Sequence, residues 1–257
     1  MTKQTIRCNQ AGPAPQRRYE ALLIDLDGTL LRLDLGRFVP AYIEAMARYF
    51  EDRFPPEKFA AHLLAATMHT VGSKDCEQSN EDVFFADFCR RVGMEREALD
   101  PLIEDFYRAE FPRLRAMSKP RSHAREVLET ARKRCRKVVL ATQPVFPRSA
   151  AFERLSWGGL SADYFDHITT LENTHSCKPH QEYYLEIAEK IGIPPEQCLM
   201  AGNDTLEDIG AAKTGMGTFL VEGEIIDHGR DALPHDHRGT LADLAALIEE
   251  SFGPADR

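Results

Sequence analysis

Ala21-Leu22-Leu23-Ile24-Asp25-Leu26-Asp27-Gly28-Thr29 is an apolar run that ends in two acids and a glycine turn. Four consecutive apolar residues read as a short buried strand, and Gly28-Thr29 reads as the turn that closes it. The strand carries two carboxylates, Asp25 and Asp27, to its own C-terminal edge. In open α/β sheets the reactive crevice lies outside that edge. Burying acids there is costly unless a cation or hydrogen bonds compensate, so the pair asks for a metal ion, a proton or both. The plainer reading of Asp25 and Asp27 is as turn formers.

Further strands are expected at 137–141, 164–169, 198–201 and 218–221. Helical patterns lie between and after them at about 122–135, 147–156, 180–191, 205–214 and 240–252. Strands separated by helices of this length imply βαβ units and a parallel sheet. Right-handed crossovers then bring all five C-terminal strand ends to one edge. Residues 36–116 differ. They hold no convincing strand, and Phe38, Tyr42, Ile43 and Met46 follow helical spacing. Further helices fit at about 57–68, 80–91 and 96–110.

Three more segments stand at the ends of later strands. They are Thr142-Gln143-Pro144, Ser176-Cys177-Lys178-Pro179 and Gly202-Asn203-Asp204-Thr205-Leu206-Glu207-Asp208. With Asp25-Leu26-Asp27-Gly28-Thr29 they occur in the order found in the haloacid-dehalogenase-like (HAD) hydrolase superfamily, and the chain resembles it over about residues 20–222. The resemblance implies a Rossmann-like doubly wound parallel sheet with an inserted all-helical cap. The core would comprise 20–33 and 117–257, the cap 34–116, and 1–19 a flexible lead. A helical bundle packed on the sheet is the plainer reading of the inserted block.

The resemblance also implies roles. Asp25 would be the nucleophile and Asp27 the general acid and base, with its backbone carbonyl on the magnesium ion. Thr142 would bind the substrate phosphate with Gln143 beside it, although relatives commonly carry Asn at that place. Lys178 would pair with Asp25 and the phosphate. Asp204 would complete a metal set with Asp25 and Asp27, while Asp208 and Asn203 would stand behind it. Whether Asn203 or Asp204 faces the metal is left open by the register of Gly202-Asn203-Asp204. Each residue has a plainer reading: Thr142 as a strand-end cap, Lys178 as a surface lysine, and Asp204-x-x-Glu207 as a capping box at a helix start.

Composition sets limits. The 257-residue chain is 43% hydrophobic and 28% charged, ordinary values for a globular protein. Its net charge of −9 offers no broad basic field for nucleic acid or an anionic membrane. It does not exclude an anionic substrate, because a bound divalent cation inverts the local sign. No apolar run reaches the ~18 residues of a membrane span, and 1–19 lacks the apolar core of a signal peptide. The six cysteines lack paired spacing and read as reduced thiols. A cytoplasmic monomer or homodimer is expected.

Lesser candidates remain. His228, His235 and His237 lie in a polar stretch that reads as solvated surface. Arg108, Arg113, Arg115, Lys119 and Arg121 form either a solvated face or a phosphate-attracting patch. Asp34 and Arg37 fall where a flap could seal the site, and His175 and Cys177 lack further metal-ligand spacing.

Together these readings predict a magnesium-dependent phosphatase of a small phosphorylated metabolite. A phosphomutase on the same core, or a catalytically weak binding protein, is the alternative. A dehalogenase is disfavoured, since those relatives normally lack the second acid and this chain keeps Asp27.

Overall fold

The computed structural model describes residues 19–253. Apart from Tyr19, the lead expected at 1–19 lies outside the described residues. Tyr19 itself is buried and bridges to Phe252.

In chain order the elements begin with β1 (Ala21–Ile24), β2 (Leu31–Leu33), α1 (Leu35–Tyr49), α2 (Pro56–Gly72), α3 (Asn80–Val92) and α4 (Arg96–Ala109). A 3-10 helix at Phe111–Met117 then leads into β3 (Ser118–Pro120), α5 (Ala124–Arg134), β4 (Lys137–Leu140) and α6 (Arg148–Trp157). β5 (His167–Ile168), α7 (Gln181–Ile191) and β6 (Cys198–Gly202) follow. After a further 3-10 helix at Ile209–Thr214 come β7 (Gly217–Val221), β8 (His237–Gly239) and α8 (Leu241–Ser251).

Six strands form one sheet in the order β5-β4-β1-β6-β7-β8, and every neighbouring pair is parallel. β1 lies at its centre because all four of its residues are apolar and fully buried. Alternate side chains point to opposite faces of a strand. Leu22, Ile24, Val138 and Leu140 accordingly pack on one face with α5 and α8, while Leu23, Val139 and Met200 pack on the other with α7. The chain leaves β1 for β4 on one side and later returns to β6 on the other. The switch point therefore falls at the C-terminal end of β1, where Asp25 continues the ladder by donating its N–H to Ala201 at 2.9 Å.

Helices α1 to α4 lie in sequence between β2 and β3, which pair as a small antiparallel ribbon. Aromatic packing joins this helical layer to the sheet domain. Phe111 stacks on Trp157 of α6 at 5.2 Å between ring centroids, and Phe38 of α1 meets the same indole edge-on at 6.1 Å.

Several elements differ from the sequence expectation. The strand expected at 164–169 contracts to His167–Ile168, because a 3-10 turn at Ala162–Tyr164 takes its first residue. The helix expected at 205–214 is a run of turns followed by a 3-10 helix. Pro179 does not open α7. It follows a cis bond to Lys178, and His180 stands at the helix N-cap. β2, β3 and the sixth sheet strand β8 carry too few apolar residues to show as strands, so His237 belongs to the sheet rather than to a loop.

Phe111 is fully buried at the junction of the two layers. Phe111→Ala is expected to lower stability by ~3–5 kcal/mol, read as a fall in the urea midpoint with unchanged slope.

Candidate active site

Three strand ends and one loop meet at the switch point. Lys178, only 1% exposed, bonds Asp25 Oδ1 at 2.9 Å and Asp208 Oδ1 at 2.6 Å through its ammonium. Burial works against that charge, yet Asp208 and Asp25 hold the Lys178 pKa well above its ordinary value. The second oxygen of Asp208 accepts the backbone N–H of Asp204 at 2.9 Å, which ties the loop after β6 to the same cluster. Thr142, one residue beyond β4, is also buried, and its carbonyl accepts the hydroxyls of Tyr183 and Thr169 at 2.9 Å each.

Gln143 does not present its amide outward as a direct phosphate ligand. Its Nε2 donates to the Lys178 carbonyl at 3.1 Å, and its Oε1 accepts the Lys178 N–H at 3.0 Å. This two-bond clamp needs the longer arm of Gln, and it fixes the lysine backbone.

Asn203 is likewise taken up elsewhere than in the acidic cluster. Its Oδ1 accepts from the Thr29 hydroxyl at 2.9 Å, and its Nδ2 donates to the Glu224 carbonyl at 2.7 Å. Gly28, at φ +84°, lies beneath it, and a Cβ there would come within 2.4 Å of the Asn203 amide nitrogen. Asn203 therefore locks the loop that carries Asp25 and Asp27.

Asp204 Oδ1 accepts the N–H groups of Leu206 and Glu207 at 2.8 and 2.7 Å, half of the expected capping box; its own N–H goes to Asp208 instead of Glu207, and turns rather than an α-helix follow. Its Oδ2 meets His228 Nε2 at 3.0 Å. His228, read as solvated surface from sequence, is thus a partner of a candidate site acid, and Asp204 raises its pKa.

Arg154 is the site residue that sequence reasoning missed. It is buried on α6, ion-pairs with Asp27 Oδ2, and lies 4.4 Å over the Phe146 ring. The only signal was an arginine on the same apolar helix face as Ala150, Leu155 and Trp157. Burial pushes the Asp27 carboxyl up against the pull of Arg154, and the neighbouring Asp25 charge adds to the rise. Among the described residues, Asp27 Oδ1 and Arg154 Nη2 are buried without a partner.

Asp25, Asp27, Glu207 and Asp208 thus surround two permanent cations, Lys178 and Arg154, while the Asp204 carboxylate faces His228. Burial drives Asp208 upward and Glu207 to about 7. Such an excess of hard oxygen donors suits magnesium, which needs only one or two carboxylates and keeps several waters. Among the described residues no three His, Cys, Asp or Glu side chains converge as a metal group; the set expected from sequence used two carboxylates, Asp25 and Asp204, with the Asp27 backbone carbonyl.

Of the other lesser candidates, several are paired elsewhere. Arg108 and Arg113 pair with Asp105 and Glu110, and Arg121 with the Glu222 carbonyl. Asp34 and Arg37 are exposed. His175 pairs with Glu186 at 2.7 Å, and burial pushes the Cys177 thiol up to about 12.

A family model of haloacid dehalogenase-like hydrolases matches residues 19–215. The chain belongs to this hydrolase family. It is 21% identical over 204 residues to pyrophosphatase PpaX of Bacillus cereus, covering 79% of this chain and 83% of that protein. A shorter stretch of 69 residues is 35% identical to glyceraldehyde 3-phosphate phosphatase of Methanothermobacter thermautotrophicus, covering 26% of this chain and 30% of that one. The fold is shared with a HAD phosphatase of Thermococcus onnurineus, at a TM-score of 0.57 and 20% identity over 89% of this chain and 97% of that one. It is shared also with L-2-haloacid dehalogenase of Xanthobacter autotrophicus, at 0.54 and 16% over 90% and 98%. Among the described residues of this family member no helix is long and apolar enough to cross a membrane.

Glu207 supplies a pH signature. Its pKa is raised from 4.5 to about 7 in the folded chain, so the folded state holds the proton more tightly. Stability contributed by that group is therefore lost as pH rises from about 4.5 through about 7. Glu207→Gln should raise Tm in chelator-treated protein at pH 8 and change it little at pH 5. Equal shifts at both values would contradict the raised pKa.

Proposed function

We propose that this hydrolase is a magnesium-dependent phosphatase of a small phosphorylated metabolite, acting through a phosphoryl group carried on Asp25. The observation that carries the reading is the buried Lys178 ammonium held between Asp25 and Asp208, with a second acid, Asp27, two residues on. Phosphatase-named relatives support it at the level of reaction class.

Phosphate monoesters are among the slowest reactions enzymes face, with accelerations up to ~10²¹-fold. Asp25 attacks phosphorus in line, the ester P–O bond breaks, and the leaving oxygen takes a proton from Asp27. Arg154 holds one Asp27 oxygen and leaves Oδ1 to carry that proton, while burial favours the protonated form. Asp27 then takes a proton from the water that attacks phosphorus, releasing phosphate and restoring Asp25. Lys178 balances charge on the equatorial oxygens, and the Thr142 hydroxyl with nearby N–H groups binds them. A magnesium ion held by Asp25, the Asp27 carbonyl and Asp204 would add charge neutralisation at the phosphate. Residues 34–116 would act as a cap over a core made of 20–33 and 117–257, excluding bulk water during transfer.

Aryl phosphate hydrolysis tests the reading. Turnover should require magnesium and fall on the order of 10⁴-fold in Asp25→Asn. Magnesium-independent turnover, or a variant within tenfold of wild type, would sink it.

A further inference from the structure

A hollow of 780 Å³ lies between the helical layer and the site, within the ~300–1,000 Å³ of small-molecule pockets. Gln143 and Glu207, which touch the catalytic cluster, line its inner end. Phe146, stacked on Arg154 beside Asp27, forms part of the wall there. The leaving group of a phosphate placed at Asp25 would therefore extend into this space.

Its chemistry is apolar. Ile43, Met46, Leu63, Phe84 and Ile103 of the helical layer line it, with Leu171 from the sheet side. Leu64 and Met68, one turn apart on α2, also line it and are 48% and 60% exposed. Large apolar residues left in water beside a pocket mark a binding surface more often than chance.

The charges are one-sided. Glu81, Asp100, Glu104, Glu172 and Glu207 line the same hollow, and Arg96 is the one cation among its described lining residues. Arg96 already reaches Glu81 at 2.8 Å, Asp100 at 3.3 Å and Asp82 at 3.5 Å. Among the described lining residues no unpaired cation would meet a second phosphate or a carboxylate. A diphosphate, a sugar bisphosphate or a phosphorylated acid would bring anions against carboxylates.

We infer that the substrate is a monophosphate ester of an apolar, uncharged alcohol, whose hydrocarbon body fills the hollow between α1–α4 and the sheet while its phosphate sits at Asp25. This inference rests on the phosphatase reading for the phosphate end; the hollow's preference for hydrocarbon is a separate property.

The test is a series of n-alkyl phosphates, from ethyl to decyl, with magnesium-loaded protein. The ~0.8 kcal/mol per buried methylene converts to about fourfold in kcat/KM per added carbon until the hollow is full. A decyl phosphate ending in a carboxylate should fall at least ~10²-fold below decyl phosphate. Hydrolysis of short and long chains at equal kcat/KM would overturn the inference and leave the phosphatase reading standing. If the aryl phosphate turns over and no alkyl phosphate does, the inference is overturned and the phosphatase reading stands; if neither turns over, the phosphatase reading fails, and calorimetry of ethyl against decyl phosphonate decides the hollow by itself: tighter decyl binding with negative ΔCp supports it, and equal binding overturns it. Leu64→Glu and Met68→Glu change side chains already in water and should lower the decyl-to-ethyl ratio. A change in oligomeric state by sedimentation with that ratio intact would assign the patch to a second copy of the chain and overturn the inference.

Discussion

A single buried ammonium organises the centre of this molecule. Lys178 arrives on the loop before α7 and meets Asp25 at the end of β1 and Asp208 beyond β6. Removing one partner of a buried ion pair is destabilising by ~3–5 kcal/mol, because it leaves an uncompensated charge. The surrounding residues keep that geometry. Gln143 clamps the lysine backbone at both ends, Tyr183 braces the end of β4, and the Tyr184 hydroxyl donates to the Glu207 carbonyl. Without the lysine, β1 and the loop after β6 would bring carboxylates together with nothing between them.

Arg154 gives the site a second charge centre with a different task. Lys178 is balanced between two acids, whereas Arg154 holds one oxygen of Asp27 and leaves the other without a partner among the described residues. Two acids two residues apart thereby occupy different environments, as the proposed division into nucleophile and proton carrier requires. The apolar hollow begins just beyond this polar cluster, at Gln143, Phe146 and Glu207.

The central strands were legible in sequence because β1, β4, β6 and β7 are dense in apolar residues and end at chemistry-bearing positions. The four helices of the inserted layer were legible from their spacing. β5 and β8 were not, since two or three residues held by neighbouring strands carry no periodicity of their own. In the site, the acids and Lys178 stood out because they sit at strand ends. Arg154 and His228 did not, because each reaches its partner across 127 and 24 residues of chain through tertiary packing alone. Gln143 and Asn203 read as departures from a pattern. In the fold they lock Lys178 and the Gly28 turn.

The most direct measurement is chemical trapping of the enzyme during turnover. Rapid quenching with borohydride reduces an acyl phosphate to an alcohol, and peptide mass spectrometry then locates the modified position. The account predicts homoserine at position 25 alone, in amounts that follow the steady-state occupancy of the intermediate. An unmodified Asp25 during active hydrolysis, or modification at Asp27 instead, would contradict it.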